Sequence, residues 1–223
     1  MQGKQAGFTL IEIAIVLVII GLLLGGVLKG QELITSARVR NLISQQDGIK
    51  AAYFGFLDRY RALPGDYNAA ATTIAGVAVN GDADGQVELN NGANLEHILV
   101  WDHLSHAGFV TGSYTYNALG PNNNTNPTNP YGSFLQVIFD SVYQDAAPTN
   151  RHNLKTGSGI PSDILAEVDR KIDDGRADQG VFRYSAYAGA AAGSGTCFVL
   201  ATGLWATGGA LPPNSNCGGV SLF

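Results

Sequence analysis

Between Phe8 and Leu28 the chain is almost wholly apolar, broken only by Thr9, Glu12 and three glycines. A stretch of about 21 residues is roughly 30 Å long as an α-helix, the thickness of a bilayer's hydrocarbon core. A secretory signal places its apolar run after a basic start and ends it at a small-residue cleavage site. No Ala-x-Ala-like site follows this run; the small residue, Gly7, comes before it. Glu12 sits inside the run, where a carboxylate is expensive and marks a function with a partner. Cleavage after Gly7 would give Phe8 a free amine four residues before Glu12. In a bundle of identical helices, Glu12 of one subunit would then neutralise the amine of the next. Such a buried pair penalises every register but the matched one, and so sets axial stagger more than it adds stability. On the residues alone a second reading stands beside it: Glu12 snorkels to the headgroups at the helix end.

Gly7-Phe8-Thr9-Leu10-Ile11-Glu12, continued by Ile13 to Leu28, resembles the cleavage and methylation motif of type IV prepilins and type II secretion pseudopilins. The resemblance implies that prepilin peptidase, reading Lys4 and Gly7, cuts between Gly7 and Phe8. It implies that the Phe8 amine is methylated and that Glu12 guides docking of the neighbouring subunit. The implied partners are identical or related pilin subunits, the peptidase, an inner-membrane assembly platform and, before assembly, membrane lipid. The implied location is the inner membrane with the head in the periplasm, then an extracellular pilus or a periplasmic pseudopilus. Two features depart from the pattern. Lys29 stands where many major pilins carry a proline in the anchor's second half, and Gly21, Gly25, Gly26 and Gly30 weaken the helix by roughly 1 kcal/mol each. Positive charge is also heavier after the anchor (Lys29, Arg38, Arg40) than before it (Lys4), opposite to the positive-inside bias.

Beyond Leu28 the pattern turns amphipathic. Ile34, Leu42, Ile49 and Phe56, with Ala52, Tyr53 and Tyr60 beside them, recur at helical spacing. One helix from Thr9 to Tyr60 would run roughly 75 Å at 1.5 Å per residue. Leu63-Pro64-Gly65-Asp66 stops it with a turn. Small polar residues make 66–92 a loop, and Ala93–His106 reads as a second helix with Leu95, Ile98, Trp101 and Leu104 as its buried stripe and Gly108 at its end. The asparagine, threonine and proline stretch 122–130 reads as an exposed loop. Strands are expected at Phe134–Tyr143, Gly180–Tyr187 and Cys197–Thr202, with a weaker one at Leu204–Ala206. Leu63-Pro64-Gly65-Asp66, Trp101-x-His103-Leu104-x-x-Ala107-Gly108 and Lys171-Ile172-Asp173-Asp174-Gly175 resemble a subgroup of large-headed prepilin-type proteins, so the similarity extends through most of the chain.

Composition limits the chemistry. With 223 residues, 45% of them hydrophobic, the chain is long enough for one real core. A net charge of −5 gives no basic footprint, so nucleic acid is not an expected partner. Cys197 and Cys217 fit one disulfide if the head is exported, and two free thiols otherwise. As a disulfide they close a loop of about 20 residues around Gly- and Pro-rich sequence, worth roughly 3 kcal/mol. Such a loop resembles the exposed, variable C-terminal loop of pilins. Asn80-x-Asp82-x-Asp84-Gly85 reproduces the first half of a calcium loop, with Gln86 and Glu88 as further oxygen donors. Its twelfth position is Asn91, not glutamate, and the plainer reading is an Asx-turn loop. Calcium is the one cofactor the sequence offers, with Asn80, Asp82, Asp84, Gln86 and Glu88 as its candidate ligands. Asp173-Asp174-Gly175 reads as a turn rather than as an acid–base pair. His97, His103 and His106 share a helix with Glu96, but no further ligand is placed to complete a zinc site. No nucleophile elbow, phosphate loop or dinucleotide fingerprint is present, so no enzyme is expected.

The fold class is α+β: a long N-terminal helix packed on an antiparallel, pilin-like sheet, with one additional helix and long loops. The expected organisation is a leader at 1–7, a transmembrane or filament-core helix at 8–30, the amphipathic half of that helix at 31–62, and a globular head at 63–223. The expected function is a structural subunit of a type IV pilus or related filament. The alternatives are a type II secretion pseudopilin, whose N-terminal features are the same, and a minor or adhesive pilin binding a surface ligand through the loops at 117–130 and 207–217. The long head counts against the small major pseudopilin.

Overall fold

The computed structural model describes residues 10–90, 92, 94–186 and 191–223. The chain forms two units, residues 1–38 and 39–223. Helix α1, Leu10–Tyr60, is 51 residues long and runs without interruption through Gly21, Gly25, Gly26 and Gly30. Its residues after Arg38 belong to the second unit. There Val39, Leu42, Gln46, Ile49, Ala52, Tyr53 and Phe56 are buried, three or four residues apart, as one face of a helix requires. Arg61, at φ +55°, ends the helix, and Pro64 and Gly65 turn the chain.

The second unit is built on a four-stranded antiparallel sheet of β1 (Gln136–Asp140), β2 (Arg151–Lys155), β3 (Phe182–Tyr184) and β4 (Gly219–Leu222), in the order β1-β2-β4-β3. One face of the sheet meets the buried stripe of α1. Val137 and Leu154 share a core with Ile49, Ala52, Tyr53 and Phe56, and Phe182 and Tyr184 share a second with Val39 and Leu42. Each of these larger side chains contributes about 1.5–3 kcal/mol on burial. The architecture is α+β and pilin-like.

Two 11-residue helices follow α1, where the sequence marks one: α3 (Glu96–His106) and α4 (Ser162–Ile172). The one-turn helices α2 (Ala70–Thr73) and α5 (Ser194–Cys197) complete the set among the described residues. Ala93, the expected start of α3, lies outside the described residues, as does Tyr187 at the end of the third strand. Of the expected stripe, Ile98, Trp101 and Leu104 are fully buried while Leu95, just before the helix, is half-buried; Glu96, His97, Asp102 and His103 are buried too, because α3 is enclosed on nearly every side. Gly108 follows it at φ +80°.

Three expectations need correction. Cys197–Thr202 is not a strand. Cys197 closes α5, and the chain then folds back through Gly203 (φ +70°), so Phe198 and Trp205 meet in a single bridge. Both side chains are wanted in the core, and a tight turn delivers both where a ladder would turn alternate residues outward. The weaker strand at Leu204–Ala206 is accordingly reduced to isolated bridges with Arg176 and Phe198. Segment 122–130 is not simply an exposed loop: Thr125, Asn126 and Asn129 are buried. Asn126 Nδ2 donates to Leu135 O at 3.1 Å and Asn129 Nδ2 to Thr156 O at 2.8 Å, so the side-chain amides pair with backbone that would otherwise be buried unsatisfied.

Cys197 and Cys217 form a disulfide, with Cα atoms 5.7 Å apart. Its reduction is expected to lower unfolding free energy by about 3 kcal/mol, measured by denaturant titration with and without reductant. The helix stripe makes a sharper prediction. Phe56→Ala, fully buried, costs about 3–5 kcal/mol. Phe54→Ala, 49% exposed two residues away, costs about 1 kcal/mol or less by the same measurement.

Candidate functional site

The first candidate is the apolar part of α1. From Leu10 to Leu28 every side chain is exposed, Leu10 at 93% and Leu22 at 73%. A continuous apolar surface of this kind is not left in water by a folded soluble domain. In lipid or among other helices it is stable, since an α-helix satisfies its own backbone polar groups. It is the one helix among the described residues long and apolar enough to cross a membrane. Glu12 is the single ionisable residue of this stretch, and it too is exposed. The next charges, Lys29 and Glu32, pair with each other at 2.7 Å one turn apart. Lys4, Gly7 and Phe8, expected to carry recognition, cleavage and methylation, lie outside the described residues.

The second candidate is the loop at 80–88. The carboxylates of Asp82 and Asp84 converge with that of Asp66, their oxygens within 4.8 Å of one another. Sequence reading did not assign Asp66 to this group; only the turn at Pro64-Gly65 brings it here. In this structure the same carboxylates hold backbone. Asp66 accepts from Asp84 N and Gly85 N, both at 3.0 Å, and Ala83 N donates to its carbonyl at 2.9 Å. Asp82 Oδ1 accepts from Asp84 N at 3.2 Å and Asp84 Oδ1 from Gln86 N at 2.8 Å, the geometry of successive Asx turns. Gln86 Nε2 donates to Asp84 Oδ2 at 3.1 Å. Asn80 points its Oδ1 at Ala71 N, 2.8 Å away, and the Glu88 backbone N–H donates to Glu96. Asn91 lies outside the described residues. Gly81 lies so close against the backbone of Gly65 and Asp66 that no Cβ fits, which is why the loop can reach this acid.

Glu96 is the other anchor that sequence reading missed. It is fully buried, and its two oxygens accept from Asp82 N at 3.2 Å and Glu88 N at 3.3 Å. Burial pushes its carboxyl up to about 7; the two N–H donors oppose the rise and the charges of Asp82 and Asp66 add to it. Burial raises Asp66 as well. Two of the three histidines of α3, His103 and His106, have partners for their side chains, while Nδ1 of buried His97 has none among the described residues. Gly65 N donates to His103 Nδ1 at 3.0 Å, so Nε2 carries the proton and faces Val79 O at 3.3 Å. Burial holds His103 down at about 4, against the Val79 contact. His106 Nδ1 lies 2.6 Å from Asp102 Oδ1. Asp173 and Asp174 form the expected turn: Asp173 accepts from Val181 and Phe182 N–H, and Asp174 from Arg176 N at 2.8 Å.

The family model of the prokaryotic N-terminal methylation motif matches residues 2–28. The chain therefore carries, over the exposed apolar helix and the residues before it, the signal motif of type IV prepilins and pseudopilins. That motif supports a precursor of the type IV pilin or pseudopilin type, which implies pilin subunits as partners and processing by prepilin peptidase. With the apolar helix it suggests membrane anchoring before assembly, and the family it marks is structural rather than catalytic. No curated protein and no solved structure matches the chain.

The Glu96 shift predicts a pH dependence. Because its folded value lies above the ordinary 4.5, the fold favours the protonated acid. The stabilisation is complete below pH 4.5 and is lost as pH rises through about 7. Glu96→Gln cannot ionise. Its unfolding free energy should therefore gain on the native chain by about 2–3 kcal/mol between pH 4.5 and 8, read as the difference between two thermal-melt series.

Proposed function

We propose that this protein is a structural subunit of a type IV pilus or a closely related filament. In this reading residues 1–7 are the leader and residues 8–30 cross the inner membrane and later line the filament core. Residues 31–62 continue the helix under a head of residues 63–223. The observation that carries the reading is Glu12, the lone acid in an exposed apolar helix inside a methylation motif. A free, methylated Phe8 amine on a neighbouring subunit is the partner whose charge offsets it. The pair then acts as a ruler, because an unmatched charge in apolar surroundings penalises every other stagger. The head occupies the periplasm before assembly, where an oxidising environment suits the Cys197–Cys217 disulfide. The size of the head favours a pilus subunit over the small major pseudopilin.

Mass spectrometry of sheared surface filaments is expected to find this chain as the main component, beginning at methyl-Phe8. Retention of residues 1–7 in a strain that possesses the peptidase would defeat the maturation step. Glu12→Ala should leave processing intact and cut filament yield by about tenfold or more, the effect of roughly 1.4 kcal/mol per docking step. Assembly of that variant at normal yield and rise would remove the basis of the reading.

A further inference from the structure

The connection between β1 and β2, residues 141–150, folds back over the sheet face opposite α1. Tyr143 packs on Val220 and Leu222 there, and its hydroxyl donates to Thr149 O at 2.6 Å. Ser185 Oγ donates to Val142 O at 2.6 Å, and Gln144 N to Tyr184 O at 2.9 Å. Arg183 reaches across to Asp145. On the covered face, strand alternation places Gln136, Ile138 and Asp140 of β1 beside Asn153 and Lys155 of β2.

Lys155 is 1% exposed. Its ammonium has three hydrogens to donate, and among the described residues its acceptor is Asp140 Oδ2. Gln136 Oε1 and Asn153 Oδ1, on the same face and buried, take no hydrogen bond. The second oxygen of Asp140 is differently occupied. Oδ1 accepts from Asn153 Nδ2 at 2.9 Å and from Val142 N at 3.1 Å. Asn153 Nδ2 is held in place by two carbonyls, Arg151 O at 3.0 Å and Asp140 O at 3.4 Å. Burial lowers the Lys155 amine below the usual lysine range, against the opposing pull of Asp140.

We propose that Lys155 and Asp140 become joined by an amide, a covalent staple between β1 and β2. Nζ of Lys155 bonds to Cγ of Asp140, and the Cγ–Oδ2 bond breaks. Oδ2 leaves as water with two of the ammonium hydrogens, and the third remains on the amide nitrogen. One positive and one negative charge vanish together, so the step needs no oxidant, reductant or co-reactant. Each part of the cluster has a role in it. A desolvated lysine is a nucleophile. The two N–H donors on Oδ1 face the oxygen that carries negative charge in the tetrahedral intermediate and becomes the amide carbonyl. Lys155 is almost wholly excluded from water, which slows reversal of the bond, while about a fifth of the Asp140 side chain stays accessible.

An ion pair alone is a poor account of this site. Burying the ammonium costs several kcal/mol and is repaid only when its hydrogens are satisfied. Among the described residues, two hydrogens of Lys155 have no acceptor. An amide nitrogen has a single hydrogen and no charge.

The test uses the full chain, purified in detergent from its own membrane, reduced and digested with trypsin and chymotrypsin. The expected product is a branched peptide joining the fragment with Asp140 to the fragment with Lys155, lighter than their sum by one water, with no cleavage after Lys155. Two linear peptides at full mass, with cleavage after Lys155, overturn the proposal. Asn153→Ala keeps both reacting groups and removes one donor from Oδ1, so the branched fraction should fall several-fold. An unchanged fraction refutes the part given to Asn153. Should that variant fail to fold, the digest of the native chain still decides whether the bond exists.

Discussion

The second unit depends on one packing event, the burial of a stripe of α1 against the inner face of the sheet. Val39, Leu42, Ile49, Ala52, Tyr53 and Phe56 supply the helix side, and Val137, Leu154, Phe182 and Tyr184 supply the sheet side. Neither surface is stable in isolation. All four strands have five residues or fewer with few β-branched side chains, and a short sheet of this kind needs a partner to cover it. Gln46 interrupts the stripe, fully buried between Leu42 and Ile49, and it coincides with the division of the core into two clusters. The helix is thus the common floor of both.

Around that floor, the loops are held by buried carboxylates more than by apolar contacts. Asp66 and Glu96 pin the 80–88 loop through its backbone N–H groups. Asp169 ties the disulfide loop to the turn after α4, accepting from the Trp205 indole Nε1 at 2.6 Å and from Gly175 N at 3.1 Å. Burial pushes Asp169, like Glu96, up to about 7. Ile74, Val77 and Val87 add apolar anchors of their own to the core shared with α1. An acid that accepts two backbone donors anchors two residues at once, at the cost of its own desolvation.

What could be read from the sequence followed from period and from punctuation. The apolar run with its acid, the amphipathic continuation of α1, the stop at Pro64-Gly65, and the stripe of α3 all depend on neighbours within a few residues, and the structure has them, except that Ile34 is exposed and Leu95 only half-buried. Strand β2 was invisible because Arg151-His152-Asn153-Leu154-Lys155 has no β-branched residue and three strongly polar ones. It is a strand because β1 and β4 flank it on both sides, which is tertiary information. The same applies to the loop site. Asp82 and Asp84 announce themselves by spacing, whereas Asp66 joins them only after a turn and a glycine contact that no local pattern encodes. Asn126 and Asn129 look like low-complexity filler until their amides are seen pairing with strand backbone.

The two units answer to different solvents, and their sequences show it in opposite ways. In residues 10–28 polarity is almost absent, so the one place it occurs, Glu12, is specified against a strong energetic background. In residues 39–223 polar groups are abundant and many are buried, yet nearly all the buried acids are spent on backbone donors. A carboxylate in apolar surroundings is costly unless a positive charge meets it. In the reading proposed above, that charge is the terminal amine that cleavage within the methylation motif would create. Lys29, the next cation along the chain, is already paired with Glu32 and lies more than four helical turns away.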